Sequence, residues 1–306
     1  MDDTDLNRLY EVACMYHEDG MGQAAIADSL GVSRPTVSRM LSRARAIGMV
    51  RVQVVPPGSA DMTGLAAELA EALGLRRAFL APGAHPQTIG RGMERAVQAA
   101  VLDMELRPGD SVVVASGMAT SGVADMQLTG LQSAVLVPGV GGAHEPELWH
   151  QPNETVRRLA EHSGASYTAL FAEAVPSPAV YEALQVDDSF RAIRGLWANA
   201  RGALLGVGAR TTGRVSISRA IPQDALPDSV GDVCLHFFDR AGRELSFPGS
   251  ERTIHISTEQ LLRIPRSTAI AVGAEKVLPV IVAARRGLFR SLVTDTATAE
   301  LILAEL

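Results

Sequence analysis

From about residue 75 to its end, the chain alternates short β-branched runs with helical stretches, and few folds satisfy such a pattern. The strand-like runs are 78–80, 111–115 (SVVVA), 134–137, 166–171, 203–207, 269–272 and 291–294. Between them, helical periodicity covers 63–73, 89–106, 154–163, 179–184, 189–197, 276–287 and 296–305. The runs are apolar on both of their faces, as in strands covered on both sides. Strands of that kind joined by helices predict a mainly parallel sheet, so this is an α/β domain. Ligands of such sheets bind at the carboxyl ends of the strands, where the loops gather.

The first 55 residues follow another plan. Residues 23–30 (QAAIADSL) read as a short helix with Ala24, Ile26, Ala27 and Leu30 on its apolar side. Gly31 supplies the turn, and Val32 plugs the space between two helices. Ser33 is the expected N-cap of the second helix, and Pro35 fits its first turn. Val37, Leu41 and Ala44 then face inward, leaving Arg34, Thr36, Ser38, Arg39, Ser42 and Arg43 outward. This is a helix-turn-helix whose second helix is sized for the DNA major groove. An amphipathic helix over 6–18, with Leu6, Leu9, Tyr10, Ala13 and Tyr16 on related faces, supports it. Residues 49–55 alternate as in a small wing, from which Arg51 reaches a phosphate. Pro56-Pro57-Gly58-Ser59 is a linker, so the expected division is 1–55 and 56–306.

Charge supports a nucleic-acid role for this part alone. Net charge is −6, so the whole chain does not attract DNA. From Ser33 to Arg51, however, there are five arginines and no acid. Arg34, Thr36, Ser38 and Arg39 are the expected base readers, and Gln23, Arg43 and Arg51 the phosphate contacts. A single such unit has a small interface, so a homo-oligomer, dimer or tetramer, is expected on double-stranded operator DNA. No apolar run is long enough to span a membrane and the N-terminus is acidic, so a cytoplasmic protein without a membrane partner is expected. Cys14 and Cys234 read as buried thiols, with a disulfide left open by spacing alone.

Together these segments resemble the SorC-type sugar-binding transcriptional regulators. The residues that carry the likeness are AIADSLGVSRPTVSRMLSRARAIGMVRV, VPGVGG at 137–142, NETVRRLAEHSGA at 153–165, GDVCLHFFDRAGREL at 231–245 and the stretch from GAEK at 273–276 to residue 303. The likeness covers nearly the whole chain. The GD-x-x-x-x-FFD and GAEK segments are its more specific parts. It implies an effector domain similar to ribose-phosphate isomerases, glucosamine-phosphate deaminases and CoA transferases, and a carbohydrate or carbohydrate-phosphate effector.

The resemblance also implies where that effector sits. The loop Ser116-Gly117-Met118-Ala119-Thr120-Ser121 corresponds to the family's phosphate-holding loop. That loop usually reads (G/S)-W-G-x-T; here Gly117 replaces the aromatic residue and Met118 the second glycine, placing a side chain where a phosphate would sit. Gly141 and Gly142, with Gly139, either let a ligand approach the backbone or form a tight turn. Asn153 either borders the pocket or caps helix 154–163. Asp232 suits a hydroxyl, Phe238 suits either pocket or core, and Arg252 suits either an anion or solvent. Lys276, beside Glu275, is the single lysine among 28 basic residues. At a strand-to-helix turn, a compact ammonium donor is the expected effector contact; the alternative is chance survival on a solvated helix start.

The segment His144-Glu145-Pro146-Glu147-Leu148-Trp149-His150 holds metal-ligand residue types, but its spacing matches no zinc motif and a solvated or pocket-lid loop is expected. No metal and no cofactor are expected. Two other readings stay open. One is an isomerase-like enzyme using Glu275 and Lys276, against which no full set of carboxylates gathers on one loop. The other is an adaptor whose helix-turn-helix binds protein, against which stands the acid-free arginine run.

Overall fold

The computed structural model describes residues 3–50, 59–83, 92–143, 151–209, 221 and 226–306. The chain forms two compact units, Met1–Ser59 and Ala60–Leu306.

The first unit is built from α1 (Asp3–His17), α2 (Gln23–Leu30) and α3 (Arg34–Ala46). Gly31, at φ 63°, closes α2 in the left-handed conformation that a side chain would strain. Ser33 caps α3 as expected, its hydroxyl accepting from the Thr36 amide at 3.3 Å. The core is Val12, Ile26, Ala27, Val37 and Leu41, with Val32 packed against it. Two assignments within these helices change. Tyr10 is 60% exposed while Val12 is fully buried, and Ala24 faces solvent. The inward face of α1 is therefore turned toward Leu9, Val12 and Ala13. The expected wing and Arg51 lie outside the described residues, as does the 144–150 segment.

The second unit is a three-layer α/β/α domain. Its sheet has seven parallel strands: β1 (Arg77–Ala81), β2 (Ser111–Val114), β3 (Val135–Pro138), β4 (Ser166–Tyr167), β5 (Ala200–Gly206), β9 (Arg266–Ile270) and β10 (Ser291–Asp295). Their order is β1-β10-β9-β5-β2-β3-β4. The helices are α4 (Ser59–Ala72), α5 (Glu94–Leu102), α6 (Met118–Val123), α7 (Pro152–Ser163), α8 (Pro178–Val186), α9 (Asp188–Ala198), α10 (Thr258–Arg263), α11 (Val277–Arg285) and α12 (Thr296–Glu305).

Strand alternation distributes the core between two faces. Val113, Ala203, Leu205, Ala269 and Leu292 join α4, α9, α11 and α12 on one side. Val112, Val114, Leu136, Leu204, Ile270 and Val293 join α5, α6 and α7 on the other. Both faces of each central strand are thus apolar, which is why the runs read as continuous rather than alternating.

The sequence reading misses a second, antiparallel sheet. It comprises β6 (Gly208–Ala209), β7 (Gly231–Val233) and β8 (His236–Phe238). It leaves the main sheet at the carboxyl end of β5 and returns through α10 to β9. These strands have two or three residues each, too short for a periodic signal. The strand expected over 166–171 ends at Tyr167, and Phe171 beyond it is 87% exposed.

Candidate functional site

In the first unit, the exposed face of α3 carries Arg34, Pro35, Ser38, Arg39, Ser42 and Arg43. Its N-terminus is locally ordered. The Ser33 and Thr36 hydroxyls are 2.8 Å apart, and Arg39 folds back to donate to Pro35 O at 3.4 Å and Thr36 Oγ1 at 3.5 Å. Thr36 is half-buried in this chain of contacts. Arg39 is thus held beside the turn, where its fork can exchange local partners for a base edge. Gln23 is the first residue of α2, where its amide belongs to the unsatisfied helix start.

In the second unit, chain direction marks the site. From β2 the next strand of the main sheet lies to one side, at β3; from β5 it lies to the other, at β9. The crevice of a doubly wound sheet opens where adjacent strands diverge in this way. Gly206 ends β5 beside the Ser116 carbonyl, 3.9 Å from where a Cβ would stand. Gly117, at φ 135°, turns the chain into α6. Thr120 is fully buried and donates to Gly117 O at 3.1 Å, so its hydroxyl fastens the loop internally. Ser121 accepts from Arg158 at 3.4 Å. Met118, the departure from the family pattern, is the first residue of α6 and is 46% exposed; Ala119 is half-buried.

The glycines after β3 serve the chain itself. A Cβ on Gly141 would lie 2.6 Å from the Glu173 carbonyl and 2.7 Å from the Ala174 amide. Gly141 donates to Ile254 O, and Gly142 exchanges both backbone hydrogen bonds with 172–174. At Gly141 the missing Cβ is what lets these two backbone segments close on each other.

The β7–β8 hairpin lies against the same strand ends, with Cys234 Sγ 3.4 Å from a notional Gly139 Cβ. Its turn residues, Cys234 and Leu235, have φ 52° and 65°, the mirror-image turn that matches strand twist. Asp232 is buried, and one carboxylate oxygen accepts from the Leu235 amide at 3.2 Å. It pairs in register with Gly208, just beyond β5. Lys276 ends a 3-10 turn, Ala274–Lys276, after β9, and α11 begins one residue later. That turn is held from behind, where Gly273 donates to Thr298 Oγ1 at 2.9 Å. A Cβ on Gly273 would sit 2.5 Å from the Glu275 carboxylate. Glu275 is exposed and Lys276 half-buried.

Three expected contacts are otherwise engaged. Asn153 is not the cap of α7 but its second residue; its amide donates to Leu170 O at 3.0 Å and accepts from Leu170 N at 2.8 Å. Phe238 is fully buried core, with the Arg286 guanidinium 5.7 Å above its ring. Arg252 donates to Pro176 O at 2.7 Å and to Glu251 at 2.8 Å. Cys14 and Cys234 are free thiols, which removes the disulfide. No group of metal-ligating side chains gathers among the described residues.

Behind the β3 loop lies a polar network that the sequence hides. His236 is buried, with Nε2 2.8 Å from Ile256 O and Nδ1 2.7 Å from Glu244. Glu244 also accepts from Thr258 and Arg286, each at 3.1 Å. The His236 hydrogen bond leads in pulling this carboxyl down to about 2. His255 stacks on His236 at 4.1 Å and bridges Val140. Burial first, then the neighbouring His236, lowers His255 to about 4. Its folded value lies below the ordinary 6.5, so the folded chain binds fewer protons between those values. Stability from His255 is therefore full above about pH 6.5 and lost as pH falls toward 4, by up to about 3 kcal/mol. Glu244 adds a loss below its ordinary 4.5. Urea midpoints against pH should be flat above 6.5 and fall below it, and His255→Asn should flatten the upper limb. A midpoint independent of pH in that window rules the effect out.

Comparison with known proteins fits this layout. The Sugar-bind family model, a sugar-binding domain, matches residues 59–304. The sorbitol operon regulator of Klebsiella pneumoniae is 26% identical over 98% of both chains. The chain belongs to the SorC family of sugar-binding regulators. The deoxyribonucleoside regulator of Bacillus subtilis (strain 168) is 28% identical over 97% of both chains. The crystal structure of full-length SorC from Klebsiella pneumoniae superposes with a TM-score of 0.76 at 25% identity, covering 99% of each chain. In this SorC-family chain the matches to those relatives run through both the helix-turn-helix and the α/β unit.

Proposed function

We propose that this chain is a DNA-binding transcriptional regulator of a metabolic operon, controlled by a small carbohydrate: a sugar, a polyol or a phosphate ester of one. The observation that carries it is the near-full-length match to operon regulators, which joins the acid-free arginine face of α3 to a sugar-binding domain. The chain works in the cytoplasm as a homo-oligomer, two or four copies giving paired operator contacts. No described helix is long and apolar enough to cross a membrane. The effector enters at the carboxyl ends of β2, β5 and β9, near residues 116–121, Asp232, Glu275 and Lys276. It acts by shifting subunit geometry, so DNA and effector change each other's affinity by one common factor. The α/β unit binds its sugar without turning it over. Isomerisation of a pentose or hexose phosphate by the purified chain would replace this reading with the enzyme.

A thermal-shift screen of the full chain against sugars, polyols and their phosphates tests the effector assignment. At a hundredfold excess over Kd, a true effector adds about 2.7 kcal/mol. Lys276→Ala should abolish the shift, measured against that variant's own ligand-free melting temperature. A shift confined to phosphate esters means that Met118 leaves room for the anion; a shift with free sugars or polyols alone means that it does not. A shift that survives in Lys276→Ala removes the lysine from the site, and no shift with any carbohydrate overturns the effector class.

A further inference from the structure

Arg8 is surrounded in sequence by acids: Asp2, Asp3, Asp5 and Glu11 are its charged neighbours. Read along the chain, it belongs to an acidic stretch with no DNA role. Folding moves it into other company. A groove of about 420 Å³ opens between α1 and α3, lined by Asp5, Arg8 and Leu9 from one side and by Thr36, Arg39 and Arg43 from the other. Arg8, Arg39 and Arg43 are all exposed, whereas Leu9 is buried. Val32 and Met40 complete the apolar part of the lining.

Three guanidinium groups against one carboxylate leave the groove with a net charge of +2. Guanidinium groups only donate, in a planar fork that fits phosphate oxygens. An apolar floor excludes water from one side and strengthens those charges. Position adds to the chemistry. Thr36, Arg39 and Arg43 recur at three- and four-residue spacing along one edge of α3, so the groove runs beside the recognition helix rather than behind it. A helix lying in the major groove is flanked by phosphate strands, and this edge faces one of them.

We propose that Arg8 is a DNA-backbone contact, completing with Arg43 a cradle for one phosphate of the strand beside α3, next to the base-reading Arg39. Asp5 tunes it, opposing the phosphate and holding non-specific affinity down. This deepens the DNA-binding reading and rests on it.

The test is fluorescence anisotropy of the full chain on a mixed-sequence DNA duplex across a salt series. Wild type is compared with Arg8→Ala, Arg8→Lys, Asp5→Asn and Arg39→Ala. Arg8→Ala should lower the slope of log K against log salt by about 0.9 for each bound subunit and weaken binding several-fold near ~0.1 M salt. Arg8→Lys should keep most of the slope, and Asp5→Asn should tighten binding a few-fold. On operator DNA, Arg8→Ala should weaken all sequences alike, whereas Arg39→Ala should erase the preference among them. An unchanged slope in Arg8→Ala beside a reduced one in Arg39→Ala overturns the proposal and leaves the DNA-binding reading intact. No salt-dependent binding by wild type overturns both. Inorganic phosphate is the competitor in a last arm: if Arg8→Ala weakens that competition without changing the DNA slope, the groove serves a free anion and the proposal fails.

Discussion

Trp197→Ala is expected to lower the unfolding free energy of the α/β unit by about 3–5 kcal/mol. The indole is 3% exposed, meets Phe190 edge-on at 6.0 Å, and donates from Nε1 to Pro138 O at 2.8 Å. Alanine leaves both a cavity in the α9 layer and a buried carbonyl without this donor. Trp197→Phe keeps most of the ring volume and loses only the donor, so its cost should be nearer 1–3 kcal/mol. Urea titrations of both variants separate the contributions; equal losses would assign the whole effect to the hydrogen bond, whereas an unchanged stability in Trp197→Phe would assign it to volume.

Gly141→Ala should cost about 1–3 kcal/mol or more, although it adds only a methyl group. The added carbon would overlap the backbone of Glu173 and Ala174, which cannot rotate away as a side-chain tip can. The two segments must separate, lengthening the bonds from Gly142 N–H to Ala172 O at 2.8 Å and from Ala174 N–H to Gly142 O at 2.7 Å. Amide exchange should quicken at Gly142 and Ala174 while remaining slow in β2 and β5. Gly142→Ala is the control: its Cβ would have one neighbour, at 3.8 Å. Equal destabilisation by the two substitutions would contradict this account.

The fold was legible wherever a residue's role is set by its near neighbours in sequence. The Ser33 cap, the Gly31 turn and the buried trio Val37, Leu41 and Ala44 depend on spacing within one helix. The core strands declare themselves because each is apolar on both faces. What stayed hidden depends on distant segments. Asn153 looked like a cap because asparagine commonly is one, yet its partner is a peptide group 17 residues away. For Gly141 the sequence offered both a ligand approach and a tight turn, and the crossing of residues 172–174 is not visible in it. Arg252 is claimed by a carbonyl 76 positions earlier in the chain. His236 and Glu244 carry no periodic signal, and their pairing exists only once the chain turns back after β8, where Phe238 and Glu244 form an antiparallel bridge. The strand-end loops could be located from sequence because topology fixes that edge of the sheet; which of their side chains are already engaged could not.

The solitary lysine has a practical corollary. Amine-directed reagents would find two nucleophiles on this chain, its α-amino group and Lys276, because none of its 27 arginines competes. Once the more acidic α-amino group has been blocked at neutral pH, acylation at higher pH would therefore deliver a reporter dye to the turn after β9 without mutagenesis. Whether a carbohydrate protects that amine from labelling would test directly the placing of Lys276 in the effector site.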